Sequence, residues 1–369
     1  MKIFAVNPGS TSTKIGLFED EREIFLQTVG HEAEELAKFS EISEQLPYRL
    51  DKIRSLLRER GISLEGTDAF VGRGGGLLPV EGGTYVVDAL LLRHAREGAN
   101  GVRHPAQLGP QIAAQLARQY GGQAFVVNPP DVDELQDVAR MTGIRGVYRT
   151  VHLHALNLKE TAIRHGAKMG QRYEDSSLIV CHIGGGISVC AHRGGRMIDG
   201  FDIVGGEGPM APTRCGGLSA AELMAFAQNH TEAEIRALCT KTGGFVSHLG
   251  TSDAQEVLAR RNQGDPEAAM VWDAMLYQIG KCIGAMASVL LGRVDGILLG
   301  GGLARSEELV RRLTEMCGYI APVYAYPGEF EMEAMAAGAL RVLRGKEQAK
   351  RYSGERCWKG FAWEEKSSE

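Results

Sequence analysis

The sequence is poor in cysteine, and the few cysteines that it has are not arranged as a site. Seven of them lie far apart along 369 residues, and no C-x-x-C pair occurs. An odd number of scattered thiols argues against a disulfide framework and against a zinc site, and it indicates reduced cysteines. We therefore expect a cytoplasmic protein whose core needs no cross-links.

Long apolar runs and a strong charge of one sign are absent as well. No apolar stretch approaches the ~20 residues needed to cross a bilayer, and the opening MKIFAVNPGS has too short an apolar run for a signal peptide. The 41 basic residues against 46 acidic ones leave a formal charge of −5. This balance gives no support for a nucleic acid or an anionic membrane as partner.

Two familiar nucleotide-binding motifs are also missing. No G-x-x-x-x-G-K-[ST] and no complete G-x-G-x-x-G occur, which argues against P-loop proteins, dinucleotide folds and protein kinases. Glycine, in contrast, is abundant, with 48 of 369 residues, nearly twice the usual ~7%. Four apolar runs end in polar or glycine-rich turns, at residues 7–10, 73–76, 184–186 and 300–302.

The first half of the chain predicts an α/β domain. Residues 3–6, 15–18 and 24–26 are apolar runs separated by turns and predict an antiparallel meander. Further strands are predicted at residues 68–72 and 124–127, and helices at residues 45–60, 88–97 and 107–120.

The second half repeats the opening pattern. Residues 177–183 and 187–192 predict two strands joined by three glycines, so that Val6-Asn7-Pro8-Gly9 aligns with Cys181-His182-Ile183-Gly184. A duplicated β-hairpin, one per domain, explains this pattern. Identity between the segments is too low to decide between duplication and coincidence.

Helices dominate the remainder. Ser219 and Thr231 each begin a capping box, and a long buried helix is predicted at residues 265–291, where Asp265-Pro266 is a start signal. A strand at 296–299 and helices at 306–317 and 331–343 follow. The tail from residue 345 is charged and weakly patterned, which predicts a surface extension.

Glycine-rich turns at strand ends can bind anions. Because glycine has no side chain, its backbone N–H group can approach a ligand closely. Loops at strand ends line the ligand crevice of open α/β sheets. One such cluster could be only a turn. Four of them, spread over two halves, favour a polyphosphate bound between two domains.

The segment Asn7-Pro8-Gly9-Ser10-Thr11-Ser12-Thr13-Lys14 resembles the first phosphate hairpin of the acetate kinase/butyrate kinase family, in the superfamily of actin, sugar kinases and heat-shock ATPases. The resemblance covers residues 1–344 and is nearer to butyrate kinases. Six further segments follow in family order: Gly72-Arg73-Gly74-Gly75, Asp133-Glu134-Leu135, Leu153-His154-Ala155-Leu156-Asn157, His182-Ile183-Gly184-Gly185-Gly186, Leu249-Gly250-Thr251-Ser252-Asp253 and Tyr326-Pro327-Gly328-Glu329.

The resemblance implies an α/β fold of two actin-like (ribonuclease H-like) domains, with mixed sheets flanked by helices and a nucleotide cleft between the domains. The expected domains are residues 1–150 with about 335–369, and residues 151–334. The implied activity is reversible, ATP-dependent phosphorylation of a short-chain fatty acid, butyrate or a branched-chain acid, to an acyl phosphate. ATP and Mg²⁺ are the implied cofactors, and the implied assembly is a homodimer or larger homo-oligomer.

Site residues are carried over from the family where its motifs match. Arg73 corresponds to the arginine that binds the substrate carboxylate, Arg214 to the transition-state arginine, and His154 to the active-site histidine; guanidinium suits the first two because it is always charged and binds two oxygens at once. His104 lies in a matching region whose register stays open. The residues expected at the nucleotide are Asn7, Ser10, Ser12, Lys14, His182, Gly184, Gly185, Gly186, Gly300, Gly301 and Gly302.

Two positions leave alternatives open. Asn7 and Glu331 are expected at the metal, with Glu329 competing for the place of Glu331. Asn128, expected to be catalytic, stands where butyrate kinases usually have Asp. A fatty acid is already ionised at neutral pH, because carboxyl pKa values lie near ~4, so an amide could orient the substrate without acting as a base. Asp131 could instead have taken over the role, or activity could be reduced.

Two other functions compete with this one. The first is an acetate or propionate kinase on the same scaffold. The second is a non-catalytic actin-like switch that binds ATP. Arg73 argues against the switch, which has no use for a buried arginine that binds a carboxylate.

Overall fold

The computed structural model describes residues 1–363, which form two compact units. Unit 1 comprises residues 1–133 and 330–363, and unit 2 comprises residues 134–329. The sequence-based domain ranges, 1–150 with 335–369 and 151–334, differ from these boundaries by 17 residues or fewer. Within the described part, no helix combines the length and the apolar character needed to cross a membrane.

Unit 1 is built on a mixed six-stranded sheet. Strands β1 to β3 form the expected antiparallel meander, while β4 runs parallel to β1 and β6 runs parallel to β4. The sheet order is β3-β2-β1-β4-β6-β5. The strands are β1 (Lys2–Pro8), β2 (Ser12–Glu19), β3 (Arg22–Gly30), β4 (Ala69–Gly72), β5 (Thr84–Val86) and β6 (Gln123–Val127).

Helices cover the sheet of unit 1. Phe4 and Val6 of β1 belong to a buried apolar cluster with Ile53 of α2 and Ile112 of α4. Helix α13 packs against β1, β4 and β6. The helices of this unit, numbered in chain order, are α1 (Ala33–Leu36), α2 (Leu46–Glu59), α3 (Ala89–Glu97), α4 (Leu108–Tyr120) and α13 (Glu331–Leu343).

Unit 2 carries a five-stranded sheet of related topology, in the order β11-β10-β7-β8-β9. Strands β7 to β9 form an antiparallel meander, and β10 runs parallel to both β7 and β11. The order β9-β8-β7-β10-β11 therefore repeats β3-β2-β1-β4-β6, so the two predicted hairpins occupy equivalent places. The strands are β7 (Ser177–Ile183), β8 (Ile187–Arg193), β9 (Arg196–Gly200), β10 (Gly296–Gly301) and β11 (Val323–Pro327).

The core of unit 2 lies between this sheet and α11. Trp272 and Ile279 of α11 pack with Val189 of β8 and Leu299 of β10, whereas Ala285, on the other side of the helix, is exposed. Helix α6 contacts β7 and β10. The helices are α5 (Asp137–Arg140), α6 (Ala155–Met169), α7 (Ala220–Ala227), α8 (Glu232–Thr240), α9 (Phe245–Leu249), α10 (Ala254–Asn262), α11 (Pro266–Val289) and α12 (Glu307–Cys317).

One local prediction was wrong. Ser219 precedes α7, but its side chain makes no capping hydrogen bond, whereas Thr231 forms the full capping box. The described part of the tail is largely exposed or half-buried, as predicted for a surface extension, but it is anchored: the backbone of Lys350 hydrogen-bonds to Thr84 and Val86 of β5, and Tyr352 is buried. Apolar burial against elements distant in sequence decides where such a weakly patterned segment lies. Residues 364–369 of the tail lie outside the described residues.

Candidate active site

Three of the predicted site residues meet in unit 1. Glu331 is the first residue of α13, and its Oε2 accepts a hydrogen bond from Asn7 Nδ2 at 2.6 Å. Its Oε1 lies 3.5 Å from Arg73 Nη2. Strands β1 and β4 are parallel and pair Val6 with Gly72, so Asn7 and Arg73 come from the same end of the sheet.

Arg73 has a buried guanidinium edge without a protein partner. Its side chain is 10% exposed, and among the described residues no acceptor is within hydrogen-bond distance of Nη1. An unsatisfied buried donor is costly, and a carboxylate oxygen would satisfy it. Gly72 and Gly109 let β4 and α4 approach closely here, because a Cβ at either position would collide with the backbone of the other segment. The arrangement fits an acid-binding arginine.

The two glutamates that competed for the metal each contact a predicted site residue of their own unit. Glu331 contacts Asn7 and Arg73 in unit 1, whereas Glu329 belongs to unit 2, where its Oε1 lies 4.0 Å from His182 Nε2. Mg²⁺ in kinases typically keeps several waters and takes one or two carboxylates plus substrate phosphates. Asn7 and Glu331 fit such a site, with the amide oxygen and the carboxylate as ligands. Among residues 1–363 no cluster of three or more His, Cys, Asp or Glu side chains could hold a metal by itself.

The hydroxyl-rich hairpin of unit 1 begins at this end of β1. The Gly9 N–H donates to Ser12 O at 2.7 Å and closes the turn, while Ser10 and Thr11 are exposed. Asn7 pairs with Lys14 across the hairpin. The exposed hydroxyls and Lys14 give this turn the donors and the positive charge expected for a phosphate site.

Asn128 has a structural role that the sequence did not reveal. It follows β6 with a φ of 38°, a left-handed conformation that Asn tolerates better than most residues. Its Oδ1 accepts a hydrogen bond from Gly83 N–H at 2.7 Å, and its own N–H donates to Gly83 O at 2.9 Å. Asp could make the same contact, so this geometry does not itself account for Asn. The catalytic role stays a prediction.

Unit 2 brings the two predicted phosphate histidines together. The rings of His154 and His182 stack with centroids 4.1 Å apart, and His154 Nδ1 lies 2.8 Å from Ser188 Oγ. His154 occupies the N-cap position of α6 without a side-chain capping hydrogen bond, and the preceding residues are not a strand. His152, two residues earlier, also lies outside any strand. His152 Nδ1 lies 3.6 Å from Asp202 Oδ1.

Arg214 lies against the glycine turn at residues 184–186. A Cβ on Gly186 would displace the Arg214 guanidinium from its present position. Thr213 anchors the same turn, because its N–H and its hydroxyl both donate to Gly185 O, at 3.2 and 2.9 Å. Arg214 Nε and Nη1 are buried, and neither has a hydrogen-bond partner among residues 1–363. Burial lowers the pKa of Arg214, and the carboxylate of Asp202 opposes that shift. Like Arg73, Arg214 presents unsatisfied donors that suit an anion.

The other glycine turn of unit 2, at residues 300–302, follows β10. Gly300 pairs with His182 in the sheet, so this turn starts beside the second hairpin. Gly301 has a φ of 89°, and a Cβ there would collide with the backbone of Ile183. Gly301 and Gly328 exchange two backbone hydrogen bonds, at 3.1 and 3.0 Å. Gly302 is exposed with open space at its Cα, which is compatible with the predicted approach of a purine or ribose.

Sequence reasoning missed two polar residues of unit 2, Ser188 and Thr213. Ser188 pairs with His182 across the second hairpin, just as Lys14 pairs with Asn7 across the first. The hairpin alignment therefore contained a signal for Ser188. Thr213 precedes Arg214 and has no signal of its own. His104 is a capping residue in unit 1, where its Nδ1 accepts from Ala106 N–H.

His31, which lies directly after β3 and contacts Thr13 of the first hairpin, should make the stability of the protein depend on pH. Burial, with help from Arg49 and Lys52, lowers the pKa of His31 to about 4 from 6.5. The unfolded chain binds this proton below pH 6.5 and the folded chain only below about 4, so stability is complete above pH 6.5 and falls on acidification. Between pH 6.5 and 5 we expect a loss of about 2 kcal/mol. Urea unfolding of the parent and of His31→Gln at both pH values tests this. Equal losses in both proteins would contradict the assignment.

Comparison with known proteins gives concordant matches. Residues 143–319 match the model of the Acetokinase family. A probable butyrate kinase of Clostridium botulinum (strain Alaska E43 / Type E3) is 43% identical over 353 residues, covering 95% of this chain and 99% of that protein. Butyrate kinase 2 of Clostridium acetobutylicum is 42% identical over the same shares of both chains.

Solved structures share the fold. Acetate kinase from Porphyromonas gingivalis has a TM-score of 0.74 at 18% identity, covering 93% of this chain and 99% of that chain. A propionate kinase from Francisella tularensis has a TM-score of 0.71 at 15% identity, with shares of 91% and 98%. Together with the two mixed sheets flanked by helices, these likenesses establish the predicted α/β fold, which this chain shares with acetate and propionate kinases.

Proposed function

The chain belongs to the acetokinase family together with the butyrate kinases that it resembles, and from this premise we propose that it phosphorylates a short-chain fatty acid with ATP. Membership makes it a carboxylate kinase, a phosphotransferase whose acceptor is a carboxyl group. The proposed acid is butyrate or a branched-chain acid of similar size. The non-catalytic switch is not favoured.

The reaction needs no general base. A carboxylate oxygen of the acid attacks the γ-phosphorus of ATP, the bond to the β–γ bridging oxygen breaks, and ADP leaves with the electron pair. The acid is ionised at neutral pH because its pKa lies near ~4, so no proton has to be removed. An amide at position 128 is therefore compatible with activity.

The buried, unpartnered Nη1 of Arg73 is the observation that carries the proposal. It lies beside Glu331, whose carboxylate already contacts Nη2. A substrate carboxylate would complete the hydrogen bonding of the guanidinium and would be held by a charge-assisted contact. A sugar hydroxyl would be a weaker partner for such a group.

Arg214 and the stacked histidines support the transfer step. Phosphoryl transfer asks a protein mainly for positioning and for positive charge around the moving group. Arg214 has unsatisfied donors at the glycine turn of residues 184–186, and the His154–His182 pair lies in the same unit. We propose that these groups act on the phosphoryl oxygens. Mg²⁺, when bound near Asn7 and Glu331, would neutralise phosphate charge. The cytoplasmic location and the homo-oligomeric state stay predictions.

An assay over two- to five-carbon acids tests the function. With ATP and Mg²⁺, we expect ADP formation to depend on the acid, and the acyl phosphate to be trapped as a hydroxamate. One methylene in an apolar pocket is worth about 1–3 kcal/mol, so kcat/KM should peak at the four- or five-carbon acids. A peak of kcat/KM at acetate or propionate would instead identify the protein as an acetate or propionate kinase. ATP turnover that no short-chain acid stimulates would overturn the proposal.

A further inference from the structure

Arg49 is a fully buried cation whose partners are all neutral. It lies on α2 with no exposed surface. Its Nη1 donates to Gly9 O at 2.9 Å, to Ser12 O at 3.1 Å and to Thr13 Oγ1 at 3.0 Å. Its Nε and Nη2 both donate to Gln45 Oε1, at 3.1 and 2.9 Å. Burying a charge without a counter-charge is costly, so this placement calls for an explanation beyond packing.

The guanidinium keeps its charge in spite of burial. Burial lowers the pKa of Arg49 to about 10, which leaves the side chain protonated at neutral pH. The charge lies on the inner side of the hairpin turn, and the exposed Ser10 and Thr11 lie at its tip. In the low dielectric of a protein, a buried charge acts over a longer range than an exposed one. Arg49 therefore adds positive potential to a turn that is expected to hold phosphate.

Peptide geometry links Arg49 to the amide of Ser10. In a trans peptide, the C=O and the following N–H point in opposite directions. Because Gly9 O points to Arg49, the N–H of Ser10 points away from α2. Ser12 O is fixed in the same way and also accepts from Gly9 N–H. The contacts of Arg49 thus set the direction of a backbone donor that the sequence places at the nucleotide.

Thr13 and His31 complete the support. Thr13 Oγ1 accepts from Arg49 and lies 2.8 Å from His31 Nε2. Because burial lowers the pKa of His31, its imidazole is neutral at pH 7. Its Nε2 can therefore accept a hydrogen bond from the Thr13 hydroxyl. The His31 backbone N–H also donates to Thr11 O at 2.9 Å. The turn is therefore held at several points by α2 and the segment after β3.

We propose that Arg49 is a positioning residue for nucleotide binding: it orients the turn from Gly9 to Thr13 so that its outward amide and hydroxyls meet a phosphate group of ATP. This inference rests on the proposed function, because it takes the hairpin as a phosphate site. It assigns Arg49 no contact with the substrates. A purely structural role would lower stability and leave nucleotide affinity of the folded enzyme unchanged.

Direct nucleotide binding to the full-length protein tests the proposal. Titration calorimetry with ADP and Mg²⁺ is made on the parent, Arg49→Gln, Arg49→Lys and Arg58→Gln. We expect the Kd of Arg49→Gln for ADP to rise at least tenfold. The Kd of Arg49→Lys should rise less, because lysine keeps the positive charge but lacks the planar set of N–H donors of the guanidinium. Arg58, an exposed arginine on the same helix, is the matched control and should leave the Kd unchanged.

Kinetics separate positioning from instability. KM for ATP should rise in Arg49→Gln, while KM for the acid stays near the parent value. If Arg49→Gln does not fold, Arg49→Lys and Gln45→Ala decide, since Gln45 holds the guanidinium without touching the turn. Folded variants with the parent Kd for ADP would overturn the proposal. A parent protein that binds no ADP or ATP would instead overturn the proposed function.

Discussion

The Arg214→Ala variant is expected to lose about 10³-fold or more of kcat, with KM for ATP and for the acid changed only a few-fold. An arginine that stabilises transferring phosphoryl charge is worth about 10³–10⁵ in kcat. Arg214 is suited to this role because Nε and Nη1 are buried and unsatisfied beside Gly186. An interaction made only in the transition state lowers kcat and kcat/KM equally.

Two variants make this result interpretable. Arg214→Lys keeps the charge but cannot present two parallel donors, so it should recover only part of kcat. Arg236→Ala removes an exposed arginine of unit 2 that pairs with Glu232, and it should behave like the parent. Steady-state kinetics at saturating ATP and acid measure both. An Arg214→Ala enzyme with the parent kcat would exclude the residue from the transfer step.

The Arg73→Ala variant is expected to raise KM for the acid on the order of 10²-fold or more, with KM for ATP nearly unchanged. Hydrogen bonds to charged groups contribute about 1.5–3 kcal/mol each, and the free edge of Arg73 can donate to a substrate carboxylate. The variant should lose affinity for the acid rather than turnover, because we propose that Arg73 binds the carboxylate of the substrate before phosphoryl transfer. Initial rates over a range of acid concentrations at fixed ATP measure the effect.

The control for Arg73 has to account for Glu331. Removing Arg73 leaves that carboxylate with Asn7 alone, and this could disturb the proposed metal site. Arg73→Lys preserves a cation beside Glu331, so a high KM for the acid in both variants would identify the fork geometry as the cause. Arg22→Ala, an exposed arginine paired with Glu19, should have no effect. An unchanged KM in Arg73→Ala would remove the residue from acid binding.

Local chemistry made many elements predictable. Helix α3 was predicted from Asp88 and Gly98, and Asp88 Oδ1 does accept from Leu91 N–H while Gly98 adopts a φ of 69°. The strands of both hairpins were found from short apolar runs before glycine or Asn-Pro turns. Such signals involve residues only a few positions apart, so they can be recognised from a single sequence.

Long-range contacts were beyond the same reasoning. Arg49 lies among ordinary helix-forming residues, and nothing local distinguishes it from the exposed Arg58 on the same helix. Tyr352 is buried. Its hydroxyl hydrogen-bonds to Leu78 N–H and His94 Nδ1, which are 274 and 258 residues away in the chain. The partners of such groups depend on which elements pack together, and a weakly patterned tail carries no record of this.

The sequence by itself determined the hairpin turns and the glycine clusters, because these depend on residue type and near-neighbour spacing, whereas Arg73 and Arg214 were carried over from the family resemblance. Only the tertiary structure showed that Glu331 meets Asn7 and Arg73. Asn7 and Glu331 lie 324 residues apart, and the parallel pairing of β1 with β4 and the packing of α13 bring them together. Coulombic and hydrogen-bond energies act over a few ångströms of space, whatever the separation along the chain.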